Sequence, residues 1–288
     1  IKVVTNDGSE LQFEIKVDPY LVDGKFAKEV TGTGGAYCLY GHCFEKHAHD
    51  IQKVQEGFPL NRTAANIHAV FDRLFDDESG EILKQRGDYG DRQGVTQKPL
   101  TGQDFHLAPR CLHFRLRVFS WFLKFLYRLL AKVLIWKKKH LTEKQHENVK
   151  KWKKKVIDTA KEITGILMDT PTSKGGTTDT GNTAWRFFSP DFIPVLESLL
   201  PVKYLDKVLN LHHKYSVMLR VISSKQRVDE AMLQQLCLET NVYLLTEFHW
   251  VHISESLHGL LCHSFQLINL NDGFGLGQLM EQGSEGNY

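Results

Sequence analysis

The chain has 288 residues, of which 42% are apolar and 24% charged, and these proportions are ordinary for a globular protein that buries a substantial core. Its five cysteines are an odd and sparse set, which excludes a secreted scaffold held by disulfides and favours reduced thiols in an intracellular compartment. The net charge of +2 hides an asymmetry: residues 110–174 carry 17 Lys and Arg against 5 Asp and Glu, and the rest carries 19 against 29. A basic block in an otherwise acidic chain predicts a polyanionic partner, and a solvated lysine-rich helical face is the simpler alternative.

The first part of the chain contains few regular elements by pattern. Residues 11–17 alternate apolar and polar side chains, which predicts a half-buried strand ended by Asp18-Pro19. A short helix is predicted over residues 23–30, and residues 61–75 have the apolar spacing of an amphipathic helix. Residues 76–109 are rich in Asp, Gly, Gln and Pro, and this composition predicts a loop.

The strongest helical pattern covers residues 112–139. Residues 118–136 are nearly all apolar, but Lys124, Arg128 and Lys132 recur at every fourth position and form one basic stripe. The apolar run has about the length of a membrane span, yet each cation near the middle of a bilayer would cost a few kcal/mol. We therefore predict a core helix with one DNA-facing edge, and a membrane-associated protein is the alternative.

The rest of the chain is also helical by pattern. Residues 143–168 continue the helical spacing and carry a cluster of lysines around Trp152. Residues 169–182 predict a loop, and further helices are predicted over 191–211, 228–245 and 253–270. The sequence therefore predicts a body that is poor in strands, rich in helices and without internal repeats.

Two Cys/His pairs are candidate metal ligands. Cys38 and Cys43 are separated by four residues, and His258 and His263 have the same spacing more than two hundred residues later. Two thiolates and two imidazoles suit a tetrahedral structural zinc, whose ligands can come from distant segments. The nearby His42, His47, His49 and Cys262 leave the choice of ligands open, and a histidine on an apolar helix is more often part of the core.

Two acidic residues are candidate ligands for a second kind of metal. Phosphoryl transfer with two metal ions needs several carboxylates that converge on Mg²⁺, which prefers hard oxygen ligands. Asp23 follows the predicted strand-turn, and Glu285 lies in Ser-Glu-Gly-Asn near the end of the chain. In isolation each is better explained as a surface acid, since the chain has 34 of them.

Several motifs follow one another along the chain: the strand at residues 13–17 six residues before Asp23, the segment 35–38 with Cys43, residues 62–66 (Arg-Thr-Ala-Ala-Asn), residues 94–99, Leu112-His113, Lys151-Trp152, residues 181–186 (Gly-Asn-Thr-Ala-Trp-Arg), the two histidines, and residues 284–287. In this order they resemble the motifs of the catalytic subunits of the RAG recombinase and of the Transib transposases. The chain departs from the family in its longer cysteine spacing and in Trp185, where the family has a basic residue. The family's first catalytic aspartate lies upstream of Ile1, so we expect this chain to be an inactive fragment.

The resemblance implies a ribonuclease-H-like α/β fold, as in the cores of DDE transposases, interrupted by a large and mainly helical insertion. Residues 1–35 would belong to the incomplete core, residues 36–270 to the zinc-stapled insertion with its basic block 110–186, and residues 271–288 to the returning core. The resemblance assigns zinc to Cys38, Cys43, His258 and His263, and catalytic Mg²⁺ or Mn²⁺ to Asp23 and Glu285. It places His113 close to the active site. The expected DNA contacts are Arg62, Lys124, Arg128, Lys153, Lys154, Lys155, Asn182 and Arg186.

The activity implied is Mg²⁺-dependent nicking of double-stranded DNA, followed by attack of the freed 3′-OH to form a hairpin or join a target. The family further implies a nuclear homodimer with an accessory second subunit, and no membrane partner. The alternative function is a non-catalytic, zinc-containing DNA-binding protein derived from a decayed or domesticated transposon.

Overall fold

The structure is a computed structural model that describes residues 2–4, 10–12, 20–22, 24–34, 38–41, 45–74, 94–100, 107–109, 111–169 and 180–279. Most of these residues lie in helices. The α-helices are α1 (Gly24–Thr31), α2 (Ile51–Glu56), α3 (Ala64–Leu74), α4 (Cys111–Leu130), α5 (Glu143–Thr164), α6 (Gly181–Phe187), α7 (Ile193–Leu199), α8 (Val202–Ile222), α9 (Glu230–Glu247), α10 (Glu255–His258) and α11 (Ser264–Leu270). A π-helical turn, Gly259–His263, joins α10 to α11, and 3-10 turns lie at Glu45–His49, Lys138–His140, Pro190–Phe192 and Leu276–Leu279.

The predicted ribonuclease-H-like α/β fold is wrong. Within the described residues the strands have three residues each: β1 (Lys2–Val4) pairs antiparallel with β2 (Glu10–Gln12), and β3 (Tyr20–Val22) pairs parallel with β4 (Leu107–Pro109). Two-stranded pairs of this length do not form a sheet layer that helices could cover. The physical reason is visible in the sequence, because strand-like alternation is limited to residues 11–17 while apolar residues at helical spacing continue through most of 111–270.

Helix α4 lies at the centre of the core and packs against α5, α6, α8 and α10. It is apolar on nearly all sides, which is typical of a helix that other elements surround. Phe119, Phe122 and Phe125 are fully buried, and each contributes about 1.5–3 kcal/mol from the area removed from water. The ring of Phe122 meets that of Phe187 edge-on at 5.6 Å, and Phe125 meets Phe248 in the same way at 4.9 Å. These aromatic contacts join α4 to α6 and to the end of α9.

Helix α4 ends at Leu130, earlier than the predicted residue 139. Lys132 adopts the left-handed conformation (φ 56°), its N–H donates to the carbonyl of Leu129, and the N–H of Val133 donates to the carbonyl of Arg128. This is the hydrogen-bond pattern of a Schellman motif, which satisfies the last carbonyls of a helix. The basic stripe predicted along the helix therefore stops at Arg128. Among the described residues, no helix is long and apolar enough to cross a membrane.

The helices predicted over residues 61–75 and 143–168 are confirmed, with their ends shifted by a few residues. Helix α5 begins at a capping box in which Thr142 and Gln145 each bond the other's backbone N–H. It ends at Gly165, which has a φ of 68° that favours glycine. Both ends of this helix are thus determined locally by sequence.

Candidate metal centre

Three of the four predicted zinc ligands lie together in the interior. The Sγ atom of Cys38 and one ring nitrogen each of His258 and His263 lie within 4.8 Å of one another. Cys38 and His258 are each 4% exposed, and His263 is fully buried. Three ligand atoms of these types that converge in a buried group can hold a metal ion such as zinc.

The π-helical turn explains how the two histidines reach the same side. In an α-helix, residues five apart point about 140° away from each other. A π-helical turn closes its hydrogen bond one residue later, so that residues five apart lie nearly above one another, and such turns are frequent at functional sites. His258 immediately precedes the turn Gly259–His263, and the two rings are 5.0 Å apart between centroids. The spacing of four intervening residues therefore suits a metal site only because the helix widens here.

The orientation of His263 is determined by a neighbouring amide. Its Nδ1 lies 2.7 Å from the Oε1 of Gln266, and the Nε2 of Gln266 donates to the carbonyl of Phe58 at 3.0 Å. With Nδ1–H donating to Gln266, the lone pair of Nε2 is directed towards Cys38, whose Sγ is 3.2 Å away. Hydrogen bonds of this kind orient metal-binding histidines and raise their basicity.

The loop that carries Cys38 is held from two sides. The backbone N–H of Tyr40 donates to the Sγ of Cys38 at 3.3 Å, and Nη1 of Arg62 donates to the carbonyl of Cys38 at 2.7 Å. An N–H bond to sulfur favours the thiolate, which is the form that binds metal. Burial raises the pKa of Tyr40 well above its ordinary value, and the nearby Cys38 and Glu255 add to the shift, so the phenol stays neutral.

The separation between Cys38 and His263 is compatible with a shared zinc ion. Zn–S and Zn–N bonds of about 2.3 Å and 2.0 Å at a tetrahedral angle place sulfur and nitrogen roughly 3.6 Å apart. The observed separation of 3.2 Å between Cys38 and His263 needs a shift of only a few tenths of an ångström. The fourth predicted ligand, Cys43, lies outside the described residues.

Two of the alternative ligands that the sequence left open, Cys262 and His49, have other contacts, and His42 lies outside the described residues. The Sγ of Cys262 is not in the group and accepts a hydrogen bond from Asn241 at 3.4 Å. Burial, and next the proximity of Cys38, raise the pKa of Cys262 well above its ordinary value, so it stays a neutral thiol. The Nε2 of His49 accepts from the N–H of Ile253 at 3.3 Å, which ties the segment before α2 to the segment before α10.

The predicted catalytic acids, Asp23 and Glu285, lie outside the described residues. The third predicted catalytic residue, His113, is on the first turn of α4 and lines a cavity together with Lys28 of α1. In the parallel pair β3–β4, Val22 is in register with Pro109. The backbone just before Asp23 therefore runs beside the backbone that leads into α4 and His113.

The eight predicted DNA contacts separate into two groups. Lys154 and Lys155 are exposed on α5, Lys124 on α4 and Asn182 on α6, whereas Lys153 is half-buried and Arg128 is only 4% exposed. Two of the arginines bind backbone carbonyls inside the protein: Arg62 binds Cys38, and Nη2 of Arg186 donates to Thr164 at 2.7 Å near the end of α5. The exposed cations among the predicted DNA contacts are therefore Lys124 on α4 and Lys154 and Lys155 on α5.

Two features of the site had not been predicted. Gln266, one helical turn after His263, was missed although the i, i+3 spacing was present in the sequence. Trp185 is 41% exposed and lies under two guanidinium groups, those of Arg115 at 4.4 Å and Arg220 at 5.4 Å. No pattern in the sequence predicts this contact, because the three residues come from three separate helices.

No protein-family model matches the chain, and no curated protein is found to be similar to it.

Proposed function

We propose that this chain is a zinc-stapled, DNA-binding part of a DNA transposase or recombinase of the RAG and Transib type. The observation that carries the proposal is the convergence of Cys38 with His258 and His263 in one buried group. The order of these residues along the chain, and the spacing of the two histidines, resemble those of the family. Residues that are more than two hundred positions apart have no local reason to meet, so their convergence supports the resemblance.

The zinc in this proposal has a structural role. A closed site of Cys and His ligands contributes folding energy directly, because the unfolded chain does not hold the metal in this arrangement. It would join the loop before α2 to the turn between α10 and α11, the two segments that flank the described helical body in sequence. All three described ligands are buried, which suits a structural rather than a catalytic metal.

The DNA-binding surface in this proposal is formed by α5. Lys150, Lys151, Lys154 and Lys155 are exposed, and no carboxylate of the described residues lies within ion-pairing distance of them. Unpaired lysines on one helix form a positive surface that attracts the phosphate backbone without reading its sequence. The alternative is that this is only a solvated helical face.

The catalytic part of the proposal rests on the resemblance. Asp23 and Glu285 would hold Mg²⁺ or Mn²⁺, which would activate the nucleophile and stabilise the leaving oxygen of the phosphodiester. Support comes from the pairing of β3 with β4, because it places the backbone of Val22, which precedes Asp23, beside that of Pro109, which leads into the helix that carries His113. A nuclear homodimer with an accessory subunit acting on double-stranded DNA remains the expected setting.

The DNA-binding proposal is tested by titrating a fluorescent duplex with the chain at several salt concentrations. The double variant Lys154→Gln/Lys155→Gln should lower the magnitude of the salt slope by about two, since each lost phosphate contact removes roughly 0.9. The matched control is Lys203→Gln, because Lys203 is exposed and covers an aromatic ring at 4.4 Å, as Lys155 does at 4.7 Å. An unchanged slope in the double variant would show that α5 is a solvated face.

The zinc proposal is tested by measuring metal content and thiol reactivity of the purified chain. One equivalent of zinc is expected, and Cys38→Ser should abolish its retention and lower the thermal stability of the helical body. Cys111→Ser is the control, because Cys111 is equally buried but its thiol donates to the carbonyl of Ile222, away from the ligand group. Zinc-free protein of unchanged stability would remove the main support for the resemblance.

A further inference from the structure

Two adjoining cavities open beside α4 and share Lys124, Trp136 and His252 in their walls. Their volumes are about 640 Å³ and 360 Å³. We call them together the basic cleft. The larger part is bounded by α1, the first half of α4, and α10, and the smaller part by the segment Lys138–His140 and its neighbours.

The walls of the basic cleft carry an excess of positive charge. The cations among the described lining residues are Lys28, Arg117, Lys124, Lys137 and Lys139. Glu255 is the one carboxylate among them, and it forms an ion pair with Lys28. Within the described lining, four cations therefore have no acidic partner, and cations that line a concave surface focus the field on an anion inside it.

Trp136 organises the cations at the junction of the two cavities. The Nζ of Lys124 lies 4.3 Å from the centre of its ring, and the guanidinium of Arg128 lies 5.7 Å from the same centre. Arg128 is 4% exposed, and its buried Nη1 has no hydrogen-bond partner among the described residues. A buried cation beside a second cation is costly without an anion close by. The ring face offsets part of this cost through cation–π attraction, but it provides no counter-charge.

The spacing of the cations favours a chain of phosphates over a single small anion. Arg117 and Lys124 are seven residues apart on α4, and therefore on one side of the helix but about 10 Å apart along its axis. Successive phosphates of a strand can contact both side chains while each stays extended, whereas a single phosphate needs both side chains to bend towards one point. The cleft also continues past Lys124 to Lys137 and Lys139, in the direction in which such a strand would extend.

We propose that the basic cleft binds the phosphodiester backbone of a DNA strand, with Arg117 and Lys124 on one phosphate each and Lys137 and Lys139 on the next part of the strand. This inference rests on the proposed DNA-binding function and adds to it a second, concave site, separate from the convex surface of α5. Contacts to phosphates determine position and register without reading the base sequence. The cleft would therefore hold a strand in place beside His113, which lines the same cavity.

The first experiment is chemical footprinting of lysines by acetylation, with the sites quantified by mass spectrometry. The full chain is acetylated alone, with a DNA duplex, and with inorganic phosphate at the same total phosphate concentration. The duplex should reduce labelling of Lys124, Lys137 and Lys139 at least fivefold, while Lys203 serves as the internal reference. Equal protection by inorganic phosphate would overturn the assignment to a DNA backbone in favour of a site for a free anion.

The second experiment measures DNA affinity of cleft variants against salt. The double variant Lys137→Gln/Lys139→Gln leaves the cation over Trp136 in place, so it should fold normally. It should lower affinity by roughly tenfold per lost contact at 0.1 M salt and reduce the salt slope by about two. Arg117→Gln should show about half of this effect.

The outcomes separate the two proposals. If the wild-type chain does not bind duplex DNA, the proposed function fails and the cleft assignment fails with it. If the α5 variant Lys154→Gln/Lys155→Gln loses affinity while the cleft variants and the footprint are unchanged, DNA binding stands and the cleft assignment alone is overturned. If the α5 variant and the cleft variants both lose affinity, and their losses add when the substitutions are combined, the result supports two separate contact regions.

Discussion

The hydrogen bond between Gln266 and His263 gives a sharp test of the metal centre. Gln266→Ala removes the acceptor of Nδ1–H and the donor to the carbonyl of Phe58, which are 2.7 Å and 3.0 Å long. Without this acceptor, His263 is free to rotate or to change tautomer, and its Nε2 becomes a weaker ligand. Loss of such a supporting bond typically lowers metal affinity 10- to 100-fold, or about 1.4–2.7 kcal/mol.

The assay is competition for zinc between the protein and a colorimetric chelator, with folding of each variant followed by circular dichroism. Gln235→Ala is the matched control, because Gln235 makes a comparable amide bond to Glu239 at 2.9 Å on the exposed side of α9. The control should bind zinc as the wild type does.

A second substitution at the same position separates metal binding from packing. Gln266→Glu keeps an acceptor for Nδ1–H and makes it an anion, but it cannot donate to the carbonyl of Phe58. Zinc affinity should therefore be kept or raised while the stability of the metal-free protein falls. Equal zinc affinity in the wild type, Gln266→Ala and Gln266→Glu would show that His263 is not a ligand, and the reasoning on the π-helical turn would fail with it.

Three further predictions follow from single side chains. Lys124 is exposed as a whole residue, but its ammonium group lies against the ring of Trp136, and this desolvation, followed by the neighbouring Arg128, lowers the pKa of Lys124 to about 8. DNA affinity should therefore fall as pH rises from 7 to 9 in the wild type but not in Lys124→Arg, as followed by fluorescence anisotropy. Burial lowers the pKa of His212 from 6.5 to about 4, and its Nε2–H donates to the carbonyl of Phe187. Because the unfolded chain binds the proton first as pH falls, the stabilising contribution is complete above pH 6.5, and about 3 kcal/mol of it is lost as pH falls to 4. Denaturant titrations of His212→Gln should not show this loss. Gly41→Ala should destabilise the protein by about 1–3 kcal/mol and weaken zinc retention, because its Cβ would lie 2.6 Å from the carbonyl oxygen of Pro59, whereas Gly259→Ala meets only ordinary contacts and should change neither quantity.

The sequence was most informative where the chemistry of a residue type limits its role. Cys38, His258 and His263 could be selected as ligands because few side chains bind zinc and their order matched a known pattern. The geometry that unites them could not be predicted, because periodicity is counted at 3.6 residues per turn and the chain departs from that period at Gly259–His263. A spacing of four intervening residues looks unfavourable on an α-helix, and only the widened turn makes it suitable.

The sequence was least informative about partners. Arg62 and Arg186 have the residue type of a DNA contact, yet both guanidinium groups bind carbonyls of the protein itself. Arg128 was predicted on an exposed stripe, but the segment that carries Trp136 folds back over that side of α4. The α/β prediction was wrong because it followed from the resemblance, whereas the strand-like pattern in the sequence covers only seven residues and helical spacing extends over most of the chain.

The metal centre and the basic cleft share a wall, and this leads to a prediction about both. Tyr40 is two residues after Cys38, Gly259 follows His258, and both line the larger cavity. If zinc joins these two segments, its removal should let the wall move and weaken DNA binding in the cleft without changing α5.

A double-mutant cycle with chelation as one of the two changes tests this coupling. Zinc removal should lower DNA affinity in the wild type and in Lys154→Gln/Lys155→Gln by the same factor, because α5 and the metal centre are independent. In Arg117→Gln the factor should be clearly smaller, since Arg117 lines the same cavity as Tyr40 and Gly259 and its contact, which depends on this wall, is already lost. The same factor in all three proteins would contradict the coupling, and it would mean that zinc supports the whole fold rather than this wall of the cleft.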